Sequence, residues 1–342
     1  LEHPGIVQAL DFVEFHGGIA LVMKRFDGVS LQKLLSEKRM AFRDFLIISI
    51  NLCDALGYLH SKSIIHKDIK PSNILINPKD LNIKLIDFGI ASLIPQEDIT
   101  PSNTTVLEGT LAYISPEQTG RMNRALDYRS DLYSLGVTLY EIVSGQPPFA
   151  GNDPMEFVHA HLALQPVSPL DLVADLPKVI APIILKLLEK SPESRYKSTT
   201  GLKADLEHCL SELDNKGVIP NFEIAQKDIS DKLNISQKLY GREVELASLM
   251  KSFELAKEGN SQVVLVSGGP GIGKSVLINE IDKPVVENKG FFIRGKFDQF
   301  QKNMPYSAIL RAFEDLLDYI LANDKSLIKQ WRKKILQEIG EN

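Results

Sequence analysis

The segment IIHKDIKPSNILI, residues 64–76, most constrains what this chain can fold into, because charged side chains interrupt an otherwise apolar run. Apolar flanks of this kind favour strands or core anchors, and charges beside them are costly unless they are paired or used. The segment is therefore either a solvated hairpin tip or a loop that holds its polar residues in place for chemistry.

Length and composition describe a globular chain. With 342 residues, 44% hydrophobic and 24% charged, it is long enough for about two domains. The net charge of -5 argues against a nucleic-acid or membrane-surface partner. Cys53 and Cys209 stand far apart without other metal ligands nearby, which predicts neither a disulfide nor a zinc site and favours the reducing cytoplasm. No apolar run is long enough to cross a bilayer, so we expect no membrane segment.

Apolar patterning predicts a first domain, residues 1–213, that opens with strands and continues mainly with helices. A hairpin is predicted over 6–30, with Gly17 and Gly18 in its tight turn. The later predicted elements are a buried helix within 31–60, strands at 74–77 and 83–87, a long polar loop over 88–116, and helices to about 213, one of them over 130–145.

A second unit is predicted after a charged, weakly periodic linker, residues 214–238. It begins with a helical pattern and continues with the strand QVVLVSG (262–268), a glycine-rich turn, a helix from Lys274 and the strand GFFIRGKF (290–297). This order is a βαβ unit, so residues 239–342 are predicted to be the start of an α/β domain with a parallel sheet.

The opening segment belongs to a series of motifs. Asp68, Lys70 and Asn73 stand in the pattern D-x-K-x-x-N. Four motifs follow: DFG (87–89), GTLAYISPE (109–117), SDLYSLG (130–136) and PESRY (192–196). In this order and spacing they resemble a eukaryotic-like Ser/Thr protein kinase over roughly residues 1–213. The resemblance implies an α+β, protein-kinase-like fold with a mainly helical large lobe and a truncated small lobe.

The resemblance also implies catalytic roles. Asp68 would accept the proton of the substrate hydroxyl, and Lys70 would place a positive charge near the transferring phosphate. Asn73 and Asp87 would hold Mg²⁺ with the oxygen ligands that it prefers. ATP and Mg²⁺ are therefore the implied cofactors, and proteins bearing Ser or Thr are the implied substrates.

Further residues of the family surround this centre. Asp131 would hold the backbone of the catalytic loop and Glu117 would pair with Arg195, although ordinary surface charges are an alternative for both contacts. Lys70 together with Thr110 matches the Ser/Thr-specific version of the loop.

The same resemblance implies an adenine site. Met23 would line the pocket, and Lys24 and Phe26 would offer backbone groups to the adenine edge.

Lys67 departs from the family, most of whose members have Arg at this position. The planar fork of Arg would clasp a phosphorylated activation-loop residue, and Lys is only a point charge. A dependence on activation-loop phosphorylation is therefore in doubt. Phosphorylation sites and an ordinary polar loop both stay open for Thr100, Ser102, Thr104 and Thr105.

A second departure is an absence. The glycine-rich loop G-x-G-x-x-G and the V-A-I-K lysine of a working kinase do not occur in the sequence. The family places both before the segment HPGIV at residues 3–7. We therefore expect the sequence to be a fragment, catalytically poor by itself, of an active parent.

The sequence GGPGIGKS has P-loop spacing: Gly268, Gly273, Lys274 and Ser275 occupy the defining positions, with Gly271 between them. Glycines let backbone amides curl around phosphates at a helix N-terminus. Lys274 would reach the β- and γ-phosphates, and Ser275 would be a Mg²⁺ ligand. The alternative is an ordinary glycine-rich turn before a helix.

The words QKLYGRE and RGKFDQFQKNMPYSAIL resemble large bacterial signalling proteins that join a Ser/Thr kinase to an AAA/STAND-type P-loop ATPase. In that group a GAF domain and a sensor histidine kinase often follow, so a downstream histidine-kinase module is an implied partner.

Three hypotheses of function follow. The leading one is a Ser/Thr protein kinase in bacterial signal transduction with a regulatory P-loop ATPase module. The rival is a nucleotide-switched interaction scaffold with a non-catalytic kinase-like domain, which would have little need for Asp68, Asn73 and Asp87 together. A small-molecule phosphotransferase is weaker, because the segment GT…SPE shapes a peptide-binding ledge in protein kinases.

Overall fold

A computed structural model gives the fold of most of the chain up to residue 293 and of scattered residues after it. The described residues are 1–15, 18–37, 39–93, 110–120, 126–151, 153–229, 241–269, 271–288, 290–293, 295, 306, 308–310, 312–313, 317, 331–332 and 337.

This described part contains both strands and helices, as the sequence predicts. The strands are β1 (Ala9–Phe15), β2 (Gly18–Met23), β3 (Val29–Ser30), β4 (Ile64–Ile65), β5 (Ile74–Ile76), β6 (Ile83–Leu85) and β7 (Ser92–Leu93). The α-helices are α1 (Leu31–Glu37), α2 (Phe42–Ser61), α3 (Arg129–Ser144), α4 (Pro154–Ala163), α5 (Pro169–Leu172), α6 (Ile180–Leu187), α7 (Thr199–Lys216), α8 (Glu243–Lys257), α9 (Lys274–Asn279) and α10 (Asp282–Glu287). Short 3-10 helices lie at Pro71–Asn73, Leu111–Tyr113, Pro116–Thr119 and Pro192–Ser194.

The predicted hairpin is present. Strands β1 and β2 pair antiparallel, with Ala9 opposite Met23. The turn residue Gly17 lies outside the described residues. Apolar side chains of both strands are exposed, and Phe12 shows 71% of its surface. The hairpin therefore adds little to the core.

Small sheets hold both flanks of the charged segment. Strand β4 pairs antiparallel with β7, and β5 lies between β3 and β6. The segment therefore leaves one sheet at Ile65 and enters another at Ile74. Strand β6 ends before the predicted residue 87, because Asp87 has a left-handed backbone angle (φ 64°) that an extended strand cannot continue through.

The main core is helical. Helix α2 packs against α7 and α3, and α3 packs against α6. Most side chains of α3 are buried, including the polar Ser130, Asp131, Ser134 and Thr138. The apolar residues buried most completely include Leu52 and Leu56 of α2, Leu132, Leu135 and Leu139 of α3, Ile184 of α6, and Leu202 and Leu206 of α7. A charged group on α3 consequently needs a partner inside the protein.

Two helical predictions differ in outcome. The predicted helix over 130–145 is α3, and Gly145 ends it in the left-handed conformation (φ 80°) that favours glycine. The pattern over 31–60 forms two helices instead of one. Ala41 is extended (φ -66°, ψ 141°), so the chain restarts a helix at Phe42.

Part of the predicted linker packs on the first domain. Helix α7 continues to Lys216, and Ile219, Phe222 and Ile224 pack against the main core. Asp228 accepts hydrogen bonds from the backbone amides of Lys197 (2.7 Å) and Ser198 (3.1 Å). We propose that the first domain extends to about residue 229 and that the linker is correspondingly shorter.

The predicted βαβ unit is wrong in its strands. The P-loop helix is present as α9, but residues 262–268 and the described residues of 290–297 are not strands. Val263 is 98% exposed and Leu265 is 90% exposed, so no layer covers them in the described part of the chain. An apolar run becomes a strand only when another strand hydrogen-bonds to it, and a local pattern cannot supply that neighbour.

None of the helices in the described residues is both long and apolar enough to span a lipid bilayer.

A buried ion pair joins two distant parts of the large lobe. The Arg195 guanidinium donates to both carboxylate oxygens of Glu117, at 2.7 and 2.9 Å, as the sequence predicts. Ser130 donates to the same carboxylate at 2.8 Å. Burial alone would raise the pKa of Glu117, but the charge and hydrogen bonds of Arg195 hold it below its usual range.

We expect Arg195→Ala to lower the free energy of unfolding by about 3–5 kcal/mol, because it leaves a carboxylate buried without its cation. The matched control is Arg43→Ala. Arg43 makes an equally short, two-pronged contact with Asp214 (2.7 and 3.0 Å), but on the exposed surface, so little change is expected there. Urea unfolding of both variants checks this, and equal losses would contradict it.

Candidate functional site

The charged part of segment 64–76 is a largely buried loop that is anchored by α3, and it is not a solvated hairpin tip. The carboxylate of Asp131, in the first turn of α3, accepts from the backbone amides of His66 (2.9 Å) and Lys67 (2.8 Å). His60, near the end of α2, contacts the same carboxylate at 2.9 Å. The structure thus places Asp131 where the sequence resemblance puts it.

Asp131 is fully buried and yet ionised. Burial would raise its pKa, but the hydrogen bond and charge of His60 and the hydrogen bond from the His66 amide hold the pKa below its usual range. The three hydrogen bonds fix the start of the loop that carries Asp68.

Asp68 is at the centre of the loop and is 8% exposed. The side-chain amide of Asn73 donates to its carboxylate (2.9 Å) and to its carbonyl (3.0 Å). The Lys70 ammonium lies 2.6 Å from the carboxylate and also contacts the Thr110 hydroxyl. The Thr110 amide donates to the other carboxylate oxygen at 3.2 Å. Three polar residues, of which Thr110 is distant in sequence, therefore meet at one carboxylate.

Asp87 lies beside this cluster. The Ile86 amide donates to the Asn73 carbonyl at 3.0 Å, and Ile74 is opposite Leu85 in the sheet. The backbone therefore brings Asp87 next to Asn73. The Asp87 side chain is exposed, and one of its oxygens accepts from Gly89 at 3.3 Å. Asn73 therefore contacts Asp68 through its side chain and adjoins Asp87 through the backbone, and the region around these three residues is called the cleft below.

The side chains around the cleft fit a hard cation bound together with phosphate. Asn73 uses its amide nitrogen on Asp68, and its oxygen has only a long contact (3.4 Å) from the Ser72 hydroxyl. With Asp87 it offers oxygen ligands of the type that Mg²⁺ takes. No group of three His, Cys, Asp or Glu suited to a metal is present among the described residues. Two protein ligands plus phosphate oxygens and water is the usual arrangement for Mg²⁺.

The predicted adenine residues lie at the end of the hairpin. Met23 closes β2 and is 45% exposed. The Lys24 amide donates to the Gln8 carbonyl (2.9 Å), and the Phe26 carbonyl accepts from Gly28 (3.1 Å). The Lys24 carbonyl and the Phe26 amide show no backbone hydrogen bond among the described residues, and they are therefore the groups left for a ligand.

The P-loop glycines adopt the backbone that the motif requires. Gly271 (φ 79°) and Gly273 (φ 88°) are left-handed, and α9 begins directly after them. The Lys274 ammonium turns back along the loop and donates to the carbonyls of Gly268 (2.9 Å) and Gly269 (2.6 Å). Ser275 follows in the first turn and is exposed. Phosphate binding requires Lys274 to exchange these carbonyls for phosphate oxygens.

Sequence reasoning missed three supporting residues. His60 and His66 carry no role in the motif pattern, yet one supports Asp131 and the other contacts the Ile86 carbonyl (3.2 Å) and the Phe88 ring. Burial lowers the pKa of His66, so it is neutral. The Gln118 amide donates to the Lys67 carbonyl at 2.9 Å. These contacts span distant parts of the chain, and no local spacing signals them.

Comparison with known proteins gives two family matches. The protein kinase domain model matches residues 1–206, and the AAA ATPase domain model matches residues 238–342.

Individual relatives are consistent with both family matches. The chain is 31% identical, over 90% of its length, to hybrid signal transduction histidine kinase G of Dictyostelium discoideum, and covers 12% of that protein. It is 37% identical to the serine/threonine-protein kinase PknB of Mycolicibacterium smegmatis and 36% identical to that of Mycobacterium tuberculosis, over 60% of this chain and 33% of each relative. The chain therefore spans only a minor part of these relatives.

We expect acid to destabilise the large lobe through Glu117 and Asp131. Both have folded pKa values below the ordinary values of 4.5 and 3.8, so their contribution is complete above those values and is lost as the pH falls through the folded pKa. Unfolding free energies from pH 7 to pH 3 check this. Asp131→Asn should flatten the decline below about pH 4, and an unchanged slope would contradict the assignment.

We expect Lys274→Ala to weaken Mg·ATP binding at the P-loop by about 10–100-fold, the usual value of a charge-assisted hydrogen bond. Calorimetric titration in an Asp87→Asn background separates this site from the kinase cleft. The matched control is Lys257→Ala, whose partner Glu254 lies on the exposed face of α8. Unchanged affinity in the Lys274 variant would mean that the glycine-rich segment is only a turn.

Proposed function

The chain belongs to the protein kinase family, and we propose that its first domain transfers the γ-phosphoryl group of ATP to Ser or Thr hydroxyls of proteins. The observation that carries the proposal is the buried carboxylate of Asp68, on which Lys70, Asn73 and Thr110 converge.

The chemistry assigned to each residue follows from this geometry. Asp68 accepts the proton of the attacking hydroxyl as the oxygen–phosphorus bond forms and the bond to the ADP oxygen breaks. Lys70 lies 2.6 Å from Asp68 and adds positive charge where the phosphoryl group passes. Asn73 and Asp87 would hold Mg²⁺, which when bound neutralises the phosphate oxygens. Met23, Lys24 and Phe26 would hold the adenine.

The P-loop segment supports a second nucleotide site in the AAA ATPase domain. Gly268, Gly271 and Gly273 would wrap the phosphates with backbone amides, Lys274 would contact the β- and γ-phosphates, and Ser275 would be a Mg²⁺ ligand.

The rival function is a nucleotide-switched scaffold with a non-catalytic kinase-like domain. It does not account for the site. A scaffold has little need for Asp68, Asn73 and Asp87 together, and a buried ion pair such as that of Asp68 with Lys70 is often no more stable than apolar residues in its place.

We propose that the whole protein is a cytoplasmic signalling protein in which the ATPase domain regulates the kinase. The likeness to a hybrid histidine kinase over 90% of the chain supports a histidine-kinase module as a downstream partner. Two buried free thiols, Cys53 and Cys209, are compatible with a reducing compartment.

We expect Asp68→Asn to lower the rate of Ser/Thr phosphorylation by about 100-fold or more, because general-base catalysis typically contributes that much and the amide is a poor proton acceptor. The assay is phosphate transfer from labelled ATP to a generic basic protein, made with the natural protein that contains this sequence. Asp175→Asn, an exposed residue between α5 and α6, is the control. A rate within tenfold of the unaltered protein would contradict the role of Asp68.

A further inference from the structure

A short helix of the P-loop domain touches the kinase domain. In the described residues, helix α10 lies against α4 of the kinase domain. Within α10, Asp282 is 3% exposed and Val285 is 9% exposed. The helix that contacts α4 therefore carries buried side chains of its own.

Helix α10 is coupled to the P-loop itself. Helix α9 starts at Lys274 and ends at Asn279, and α10 starts three residues later. Backbone bonds continue across the join, from Ile281 to the Ile278 carbonyl (3.3 Å) and from Val285 to the Ile281 carbonyl (3.0 Å). A change in the direction of α9 consequently moves α10 as well.

On the kinase side, α4 is fixed at one end and held along its length. Asp153 caps it by accepting from the Met155 and Glu156 amides. The Lys190 ammonium donates to the Ala160 carbonyl (3.1 Å), and the Tyr133 hydroxyl contacts His161 (2.9 Å). A displacement of α4 therefore also moves the residues that are hydrogen-bonded to it.

Those neighbours include the substrate side of the kinase cleft. Helix α4 also contacts the 3-10 helices Leu111–Tyr113 and Pro116–Thr119. The first of them directly follows Thr110, whose amide donates to Asp68 at 3.2 Å. The contacts thus run without a gap from Lys274 through α9, α10 and α4 to the catalytic carboxylate.

We propose that nucleotide bound at the P-loop regulates the kinase cleft through the contact between α10 and α4. Phosphate draws the Lys274 ammonium away from the carbonyls of Gly268 and Gly269, which changes the loop that leads into α9. The altered position of α10 then shifts α4 and the residues after Thr110. This inference rests on the proposed function for the role of the cleft, and it adds the physical route of regulation.

The test follows amide hydrogen exchange in residues 154–163 and 111–119 of the full chain, with and without Mg·ATP. An Asp87→Asn background removes binding of Mg·ATP in the kinase cleft, so any response comes from the P-loop. We expect exchange in both segments to change by about fivefold or more, the lower end of typical coupling between sites. The response should disappear in Lys274→Ala.

Two variants, one in each helix of the contact, locate the route. Val285→Asp places a charge at a buried position of α10 and should abolish the response while calorimetry still detects nucleotide at the P-loop. Met155→Asp tests the same contact from the α4 side, in case the first variant unfolds α10. Val244→Asp on α8, where the side chain is 81% exposed, is the matched control and should leave the response intact.

Three results would overturn the proposal: no change in 154–163 although the P-loop binds nucleotide, a response that persists in Lys274→Ala, or a response that survives both contact variants. None of these depends on phosphotransfer. Failure of the catalytic role of Asp68 would appear in the phosphorylation assay and would leave these exchange results unchanged.

Discussion

The fold around the active site depends on one buried carboxylate. Asp131 comes from the first turn of the most buried helix, α3, and binds the backbone amides of His66 and Lys67 and the ring of His60. Because a charge in that position is costly without partners, the helix and the loop are stable only together. The loop, held at its start, then presents Asp68 at a fixed place. The contacts of Asp131 therefore both stabilise the core and set the geometry of the cleft.

A second buried charge extends this arrangement to the substrate side. The pair between Glu117 and Arg195 fixes the 3-10 helix Pro116–Thr119, and Gln118 from that helix binds the Lys67 carbonyl. The catalytic loop is therefore held from α3 and from the segment after Thr110. Since α4 packs on that same segment, a disturbance at α4 reaches a site whose parts are already joined by hydrogen bonds. This connection makes α4 a suitable place for another domain to act.

The two nucleotide motifs differ in how much of their surroundings the described structure supplies. The kinase cleft has a packed helical core beneath it. The P-loop has its glycine conformations and its helix α9, but the apolar run before it is exposed and unpaired in the described residues. Lys274 binds carbonyls of its own loop.

The sequence by itself determined the local features: the order of the kinase motifs, the residue types at Asp68, Lys70 and Asn73, the hairpin, α3 with its glycine end, and the P-loop turn. Each depends on residues only a few positions away in the sequence, through backbone preferences and the spacing of apolar residues. The tertiary structure alone decided which of the described segments are strands and what holds the loop that carries Asp68. The supports His60 and Gln118 act across tens of residues, and the strand predicted at 262–268 fails because pairing needs a distant partner. Long-range hydrogen bonds and burial arise only when the chain has folded, so no local pattern contains them.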